Sequence, residues 1–259
     1  MPNTLLLAID IGNTNTTIAA YDGQMLIADW RLSTLLSRTV DEWAVTVLAL
    51  FTLGQIPVVS ITHVVMSSVV PDLTPVITVL AQKYLSCEPL IVSHHTDTGL
   101  TIKCDRPGEI GSDRLCDAVA AMTMYAVPAI VIDFGTATTF NAITREGDYL
   151  GGAIAPGLGI SVEALYAHAA RLSHVELVTP ERAIGSNTMQ NLQSGIIFGY
   201  AGLVEAMICR FKNEMEGPVK TIATGGLSTV IADQVAFDIV EPLLTLHGLR
   251  IIHERSQRA

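Results

Sequence analysis

One pattern occurs twice in this chain, and it limits the possible folds more than any other feature. Ile9-Asp10-Ile11-Gly12-Asn13-Thr14-Asn15-Thr16-Thr17 aligns with Ile132-Asp133-Phe134-Gly135-Thr136-Ala137-Thr138-Thr139-Phe140, and the two Asp residues stand 123 positions apart in a chain of 259. In each copy an apolar strand ends in Asp, a Gly follows, and a Thr-rich turn feeds another strand. The first copy opens as a β-meander. An uninterrupted apolar run from Leu5 to Ile11 reads as a strand buried on both faces, Thr16 to Tyr21 as a second strand, Asp22-Gly23 as a hairpin turn and Gln24 to Arg31 as a third strand. The second copy starts at the strand Ala129 to Asp133 and has its own hairpin turn at Glu146-Gly147-Asp148. A duplicated β-meander followed by helices predicts a two-lobed α/β protein, with lobes expected at 1–114 and 115–259.

Between the copies the spacing predicts a helix over about 41–53, a strand at Ile61 to Ser67, a helix from Leu73 to Leu85, a strand at Pro89 to Val92, a loop around 94–112 and a helix from Arg114 to Tyr125. After the second meander, Gly151 to Gly157 reads as a close-packed turn and Ser161 to His168 as a helix. A loop at Pro180 to Asn187, a long helix from Thr188 to Met215, a strand Thr221 to Thr224 ending in Gly225-Gly226, and a helix near Ser228 to Ala232 follow. Glu254 to Ala259 reads as a solvated tail.

Charge narrows the function. Fifteen Lys and Arg against 25 Asp and Glu give a net charge of −10, with no block of like sign, which argues against a non-specific nucleic-acid binder or a basic membrane-surface protein. With 49% hydrophobic and 15% charged residues the chain is not disordered. Cys87, Cys104, Cys116 and Cys209 are scattered and read as reduced, mostly buried thiols in a cytoplasmic protein; no structural metal is implied. The first basic residue is Arg31, so the charged flank of a signal peptide is missing. Trp43 to Pro71 holds no Asp, Glu, Lys or Arg, but Gly54, Gln55, Pro57, Ser60, Thr62 and His63 interrupt it, and it reads as a buried helix, a turn and a core strand.

Two Asp residues at strand ends, each beside a Gly-Thr turn, suit a nucleotide cleft where the lobes face each other. Backbone N–H groups and Thr hydroxyls of a tight turn donate to phosphate oxygens, while the carboxylates orient water around Mg²⁺ or bind a cation directly. The plainer reading is that both Asp residues cap hairpin turns, but symmetric placement favours the cleft. Thr224-Gly225-Gly226 would let a flat base or a ribose approach the backbone. In Pro107-Gly108-Glu109-Ile110-Gly111-Ser112-Asp113-Arg114, Asp113 is a candidate base for a substrate hydroxyl, with Gly111 permitting close approach and Arg114 holding an anion; an ordinary capped helix start fits equally well. Asn187-Thr188 reads as a helix cap and a candidate hydroxyl donor. Gly151 to Gly157 lacks the Gly-Lys-Ser/Thr ending of a P-loop, and the seven His residues, among them His63, His94, His95, His168 and His174, show no triad or metal spacing.

Taken together, Asp10-Ile-Gly-Asn-Thr-Asn, Ser67-Ser-Val-Val-Pro71, Gly111-Ser-Asp-Arg114, Asp133-Phe-Gly-Thr-Ala-Thr-Thr139, Gly151-Gly-Ala-Ile-Ala-Pro-Gly157, Gly185-Ser-Asn-Thr188, Gln193-Ser-Gly195 and Ala223-Thr-Gly-Gly226 resemble the type III pantothenate kinase family in order and spacing, from Leu5 to about Ile252. The resemblance implies an α/β, two-lobed actin-like (ribonuclease H-like) fold, a cytoplasmic homodimer, and ATP-dependent phosphorylation of pantothenate to 4′-phosphopantothenate, the first step of coenzyme A biosynthesis. It implies ATP or another nucleoside triphosphate, Mg²⁺, and a monovalent cation, K⁺ or NH₄⁺. Asp10, Ile11, Gly12, Asn13, Thr14, Asn15, Thr16, Thr17 and Thr136 would contact ATP and Asp133 the monovalent ion. Gly111, Ser112, Asp113, Arg114 and Thr188 would hold pantothenate, with Asp113 as proton acceptor. Phosphoryl transfer through a loose transition state asks mainly for positioning and charge neutralisation, so an Asp of ordinary pKa near 4 suffices as the base.

The chain departs from the family pattern at Cys104, where Tyr is usual, at Ser112, where Ala is commoner, and at Asn141, where Asp is common. Another actin-like phosphotransferase acting on a sugar, acetate or polyphosphate would share both phosphate turns but not Gly111 to Arg114. A non-catalytic regulatory protein on the same fold would not need Asp10, Asp113 and Asp133 intact. In the helix from Thr188, the apolar residues Ile196, Ile197, Tyr200, Leu203, Val204, Met207 and Ile208 fit a dimer contact or a core helix equally.

Overall fold

The computed structural model describes residues 4–169 and 175–258; His174 lies outside them. In chain order the elements are β1 (Leu5–Ile11), β2 (Asn15–Asp22), β3 (Met25–Ser33), α1 (Val40–Leu53), β4 (Ile61–Ser68), α2 (Thr74–Leu85), β5 (Leu90–Ile91), β6 (Thr101–Ile102), α3 (Ser112–Met124), β7 (Ala129–Phe134), β8 (Ala137–Ile143), β9 (Asp148–Pro156), α4 (Leu158–His168), α5 (Thr188–Glu214), β10 (Lys220–Thr224), α6 (Ser228–Ala232), β11 (Ile239–Val240) and α7 (Leu244–Ser256).

Two compact units form. The first gathers Met1–Gly99, Asp105–Ala120 and Thr245–Ala259; the second gathers Leu100–Cys104 and Ala121–Leu244. The sheet of the first runs β3-β2-β1-β4-β5 and that of the second β11-β10-β7-β8-β9-β6. In each, the leading strand pairs antiparallel with its successor and parallel with a later strand: β1 with β2 and β4, β7 with β8 and β10. Register repeats as well. Asp10 stands opposite Thr17 and Ser67, and Asp133 opposite Thr139 and Thr224. The duplication legible in the sequence is therefore a duplication of topology.

In the first unit the alternation of β1 decides what covers each face. Leu5, Leu7, Ile9 and Ile11 pack with Trp43, Val47 and Phe51 of α1 and Ile77 and Leu80 of α2. Helix α1 begins at a capping box in which Glu42 N donates to the Thr39 hydroxyl and Thr39 N to the Glu42 carboxylate. Leu6, Ala8 and Asp10 point to the other face, along with Tyr21, the register partner of Leu6. Helix α7 lies there: the Tyr21 hydroxyl is 3.0 Å from His247 Nδ1, the Thr245 hydroxyl donates to Asp117 of α3 at 2.7 Å, and a Cβ on Gly248 would strike the Cys116 backbone. The single cut expected between 114 and 115 thus differs from the observed division, because α7 closes the first unit. Glu254 to Ser256, expected as a solvated tail, belong to α7.

The second unit packs Ile130, Ile132 and Phe134 of β7 against α4, α5 and α6. Gly151 to Pro156, expected as a turn, continue β9 as a strand paired to β8; Gly151 sits at φ 115°, where the register shifts at Ala142/Ile143. Helix α5 is long and apolar enough to cross a membrane, yet its Tyr200, Ala201, Val204 and Ile208 are buried in this core and Ile197 is buried as well. Cys87 and Cys116 are buried, Cys104 half-buried and Cys209 exposed, so only two of the four thiols match the expectation of burial.

Candidate active site

In the first unit, β1 delivers Asp10 to the end of the sheet and the chain turns at once. Gly12 N donates to the Asn15 carbonyl at 3.0 Å, and a Cβ on Gly12 would lie 2.9 Å from that same oxygen, so the turn has room only for glycine. Thr34, just past β3, stitches the turn from outside: its N–H donates to the Thr14 carbonyl (2.9 Å), its hydroxyl donates to the Gly12 carbonyl (2.7 Å) and lies 2.9 Å from the buried Thr16 hydroxyl. Asn13 and Thr14 are exposed at the tip, while Thr16 serves as framework.

Beside Asp10 the end of β4 meets α3. Val69 N donates to the Ile11 carbonyl at 3.1 Å, and Ser67 and Ser68 bond to Ser112 in the first turn of α3. Asp113 follows, half-buried, with Oδ1 accepting from Arg114 N at 2.8 Å. Any Cβ on Gly111 would overlap that oxygen. Burial pushes the Asp113 carboxyl above the ordinary carboxylate range, against the opposing pull of the Arg114 amide and guanidinium. Three residues further along the helix, the buried Cys116 thiol is driven well up, first by burial and then by the negative charges of Asp10, Asp117 and Asp113. Three carboxylates therefore bear on one small region of the unit.

The second unit builds the matching turn with different supports. Gly135 N donates to the Ala137 carbonyl (3.1 Å) and Gly157 N to the Thr136 carbonyl (3.2 Å). A Cβ on Gly157 would come within 2.6 Å of the Gly135 carbonyl oxygen. At the end of β10, Gly225 holds φ 87° and packs so tightly on the turn that a Cβ would overlap Asp133 Oδ1 and lie 2.8 Å from Phe134 N. Thr224, the register partner of Asp133, keeps its hydroxyl buried with no hydrogen-bond partner among the described residues. Beneath the turn, the Thr138 and Tyr200 hydroxyls are 2.5 Å apart and Tyr200 donates to the Pro156 carbonyl at 3.0 Å.

The profile of the type III pantothenate kinase family matches residues 6–210. A type III pantothenate kinase from Roseiflexus castenholzii is 49% identical over 255 residues, covering 98% of this chain and 100% of its own; one from Moorella thermoacetica is 46% identical over 253 residues, covering 97% and 100%. The chain belongs to the type III pantothenate kinase family. Among solved structures, a Campylobacter jejuni protein described as a "Baf family transcriptional activator" superposes with a TM-score of 0.62 at 20% identity, over 98% of this chain and 100% of that one. The ethanolamine utilization protein EutJ from Carboxydothermus hydrogenoformans gives 0.57 at 11%, over 97% and 91%. At those identities the likeness fixes the fold alone; the α/β class expected from the duplication, and the actin-like fold implied by the family resemblance, are the ones observed.

Set in this pantothenate kinase fold, the expected residues fall into three places. Asp10 to Thr17 and Gly111 to Arg114 lie in the first unit, joined through β4. Asp133 and Thr136 lie in the second, with Thr224 and Gly225 against Asp133. Thr188 opens α5, exposed, after Asn187 caps the helix by accepting from Gln190 N at 3.0 Å; the Asp133 turn is built without it. Ser112, expected to touch substrate, is buried with its hydroxyl against β4. Asn141 accepts from the Tyr149 hydroxyl (2.9 Å) and donates to Thr139 (3.3 Å), a buried pairing that an amide completes from both ends. Thr34 had no signal of its own, and Gly157 was read only as the end of a close-packed turn, because each acts on a turn distant in sequence.

Proposed function

We propose that this member of the type III pantothenate kinase family transfers the γ-phosphate of ATP to the primary hydroxyl of pantothenate, giving 4′-phosphopantothenate in the first step of coenzyme A biosynthesis, with Asp113 as the base. The observation that carries the assignment is the half-buried Asp113 at the start of α3, bonded through its neighbour to the strand end beside Asp10. Its raised carboxyl makes it a stronger proton acceptor than an ordinary Asp while leaving it available as the anion above its own pKa, so the expectation of an unperturbed carboxylate is corrected in the direction that favours catalysis. The hydroxyl proton passes to Asp113 as the new P–O bond forms, and positioning does the remainder.

In this reading the turn from Asp10 to Thr17, with Thr16 as its buried support, and Thr136 contact ATP, Asn13 and Thr14 from the exposed tip. Gly111, Asp113, Arg114 and Thr188 hold pantothenate, the Arg114 guanidinium being suited to its carboxylate. Asp10 would orient the water of a Mg²⁺ ion carried on the phosphates, which would supply charge neutralisation. An ion carried mainly by phosphate oxygens and water would need no dedicated cluster of protein ligands. The Asp133 carboxylate and the orphaned Thr224 hydroxyl offer hard oxygen ligands suited to K⁺ or NH₄⁺.

We also propose a cytoplasmic homodimer. Tyr200, earlier a candidate contact, is buried and bonded inside its own unit, so the contact shifts to the exposed side of α5, where a Cβ on Gly195, Gly199 or Gly202 would meet nothing and Leu203 is open. A coupled ADP-release assay with Mg²⁺ and K⁺, offering pantothenate, glucose, acetate and polyphosphate in turn, tests the reaction. Turnover with another acceptor and none with pantothenate would overturn the assignment.

A further inference from the structure

Ser112 lies in the segment expected to hold substrate, yet its side chain is 8% exposed and turned inward. Its hydroxyl donates to the Ser68 carbonyl at 3.2 Å, accepts from Ser68 N at 3.0 Å and lies 2.9 Å from the Ser67 hydroxyl. A hydroxyl has one proton and two lone pairs. With the Ser67 hydroxyl donating, the three contacts use all of them, and nothing remains for a substrate.

The strand end that Ser112 grips is the one next to the phosphate turn. Ser67 is the register partner of Asp10 and Ser68 of Ile11, and Val69 N closes on the Ile11 carbonyl. On the other side of the grip, Asp113 follows directly, and main chain sets its carboxylate: Arg114 N holds Oδ1 and Gly111 leaves space for it. Where the first turn of α3 goes, the carboxylate goes.

We propose that Ser112 is a positioning residue that ties the first turn of α3 to the end of β4, and so holds the Asp113 carboxylate in register with the Asp10 turn. The inference rests on Asp113 being the base. Alanine, the commoner residue of the family at 112, keeps the helix but in this chain takes from the buried Ser67 hydroxyl and the partly buried Ser68 N–H the partner that Ser112 gives them, so the turn loosens and the carboxylate gains water. The charged groups around that carboxylate are Arg114, next in the chain, and Asp10 and Asp117, which share the surroundings of Cys116 with it.

Full-length Ser112→Ala, Ser67→Ala and Asp113→Asn, assayed side by side from about pH 5 to 9, provide the test. Ser112→Ala should lower kcat about tenfold, hold KM for ATP within about twofold, and move the acid limb of the rate profile to lower pH as the carboxylate becomes more exposed. Ser67→Ala, which removes one contact of three, should shift kcat and the limb the same way by less. A wild-type kcat with an unmoved limb in Ser112→Ala overturns the proposal, as does a rise confined to KM for pantothenate, which would return Ser112 to substrate contact. Should Ser112→Ala not fold, Ser67→Ala decides by the same two readings. Asp113→Asn separates the levels: full turnover there removes the base and this inference with it, whereas a dead Asp113→Asn beside an unaltered Ser112→Ala removes the positioning role alone.

Discussion

Replacing Asp113 by Asn changes no shape and deletes one charge, and the structure assigns opposite signs to its effects on activity and stability. Asn keeps an oxygen for the Arg114 amide now bonded at 2.8 Å, so the helix start loses only the charge assistance of that bond, about 1 kcal/mol. Against this stands the burial that pushes the carboxyl up, the larger influence on it. An Asp whose folded pKa exceeds its unfolded value of 3.8 takes up a proton on folding. Its contribution is then favourable at low pH and is lost as pH rises through the folded pKa. At neutral pH the wild type therefore carries an unfavourable ionised group that Asn lacks. Asp113→Asn should melt no lower than wild type at pH 7, and the variant's margin should open as pH rises above the ordinary carboxylate range and then level off. Turnover should fall by about 10² or more, near 2.7 kcal/mol of transition-state stabilisation. Calorimetry across pH with coupled ADP release checks both. A variant that melts more than about 4 °C lower while retaining its rate would make Asp113 a helix cap and refute the reasoning.

Three further outcomes follow from the second unit. Replacing K⁺ by Na⁺ or a bulky organic cation at constant ionic strength should depress the rate if Asp133 and Thr224 ligate a monovalent ion, and equal rates in all three would dismiss that site. Gly157→Ala, with backbone at an ordinary φ of −65°, suffers only from its overlap with the carbonyls of Gly135 and Thr136. It should cost about 1–3 kcal/mol by urea unfolding and reduce kcat/KM for ATP by about 10² as the turn is displaced. Gly199→Glu projects into open space, so a folded variant that sediments as a monomer, where wild type sediments as a dimer, would locate the dimer contact on α5; a dimeric variant would exclude that face.

What could be read from sequence were features with a period or a repeat. The Leu5 to Ile11 run, the hairpins at Asp22-Gly23 and Glu146-Gly147, and the long helix from Thr188 announce themselves locally, and the Asp10 and Asp133 repeat carried over to matching registers. Ranges gathered from distant sequence were not legible. Strand β6 is two residues that gain meaning only by pairing with Asp148 and Tyr149, and α7 is amphipathic on a face defined by β2 and α3. The glycines of Gly151 to Gly157 suggested a turn because local propensity is blind to the partner strand β8. Among the candidate residues, the repeat singled out Asp10 and Asp133 and the Gly111 to Arg114 loop singled out Asp113, but whether the Ser112 and Tyr200 side chains face inward or outward depended on what packs against them.

Helix α7 gives the molecule an order of completion. Residues of the second unit all precede Thr245, so that unit can close while the first, begun earlier, still lacks the helix that bonds Tyr21 and Asp117 and packs on the Cys116 backbone. On a ribosome, where segments emerge from the N-terminus, the unit started first is finished last. The Asp10 turn and the start of α3 would then wait on the final helix for a settled floor, so that damage near the end of the chain is felt at its beginning.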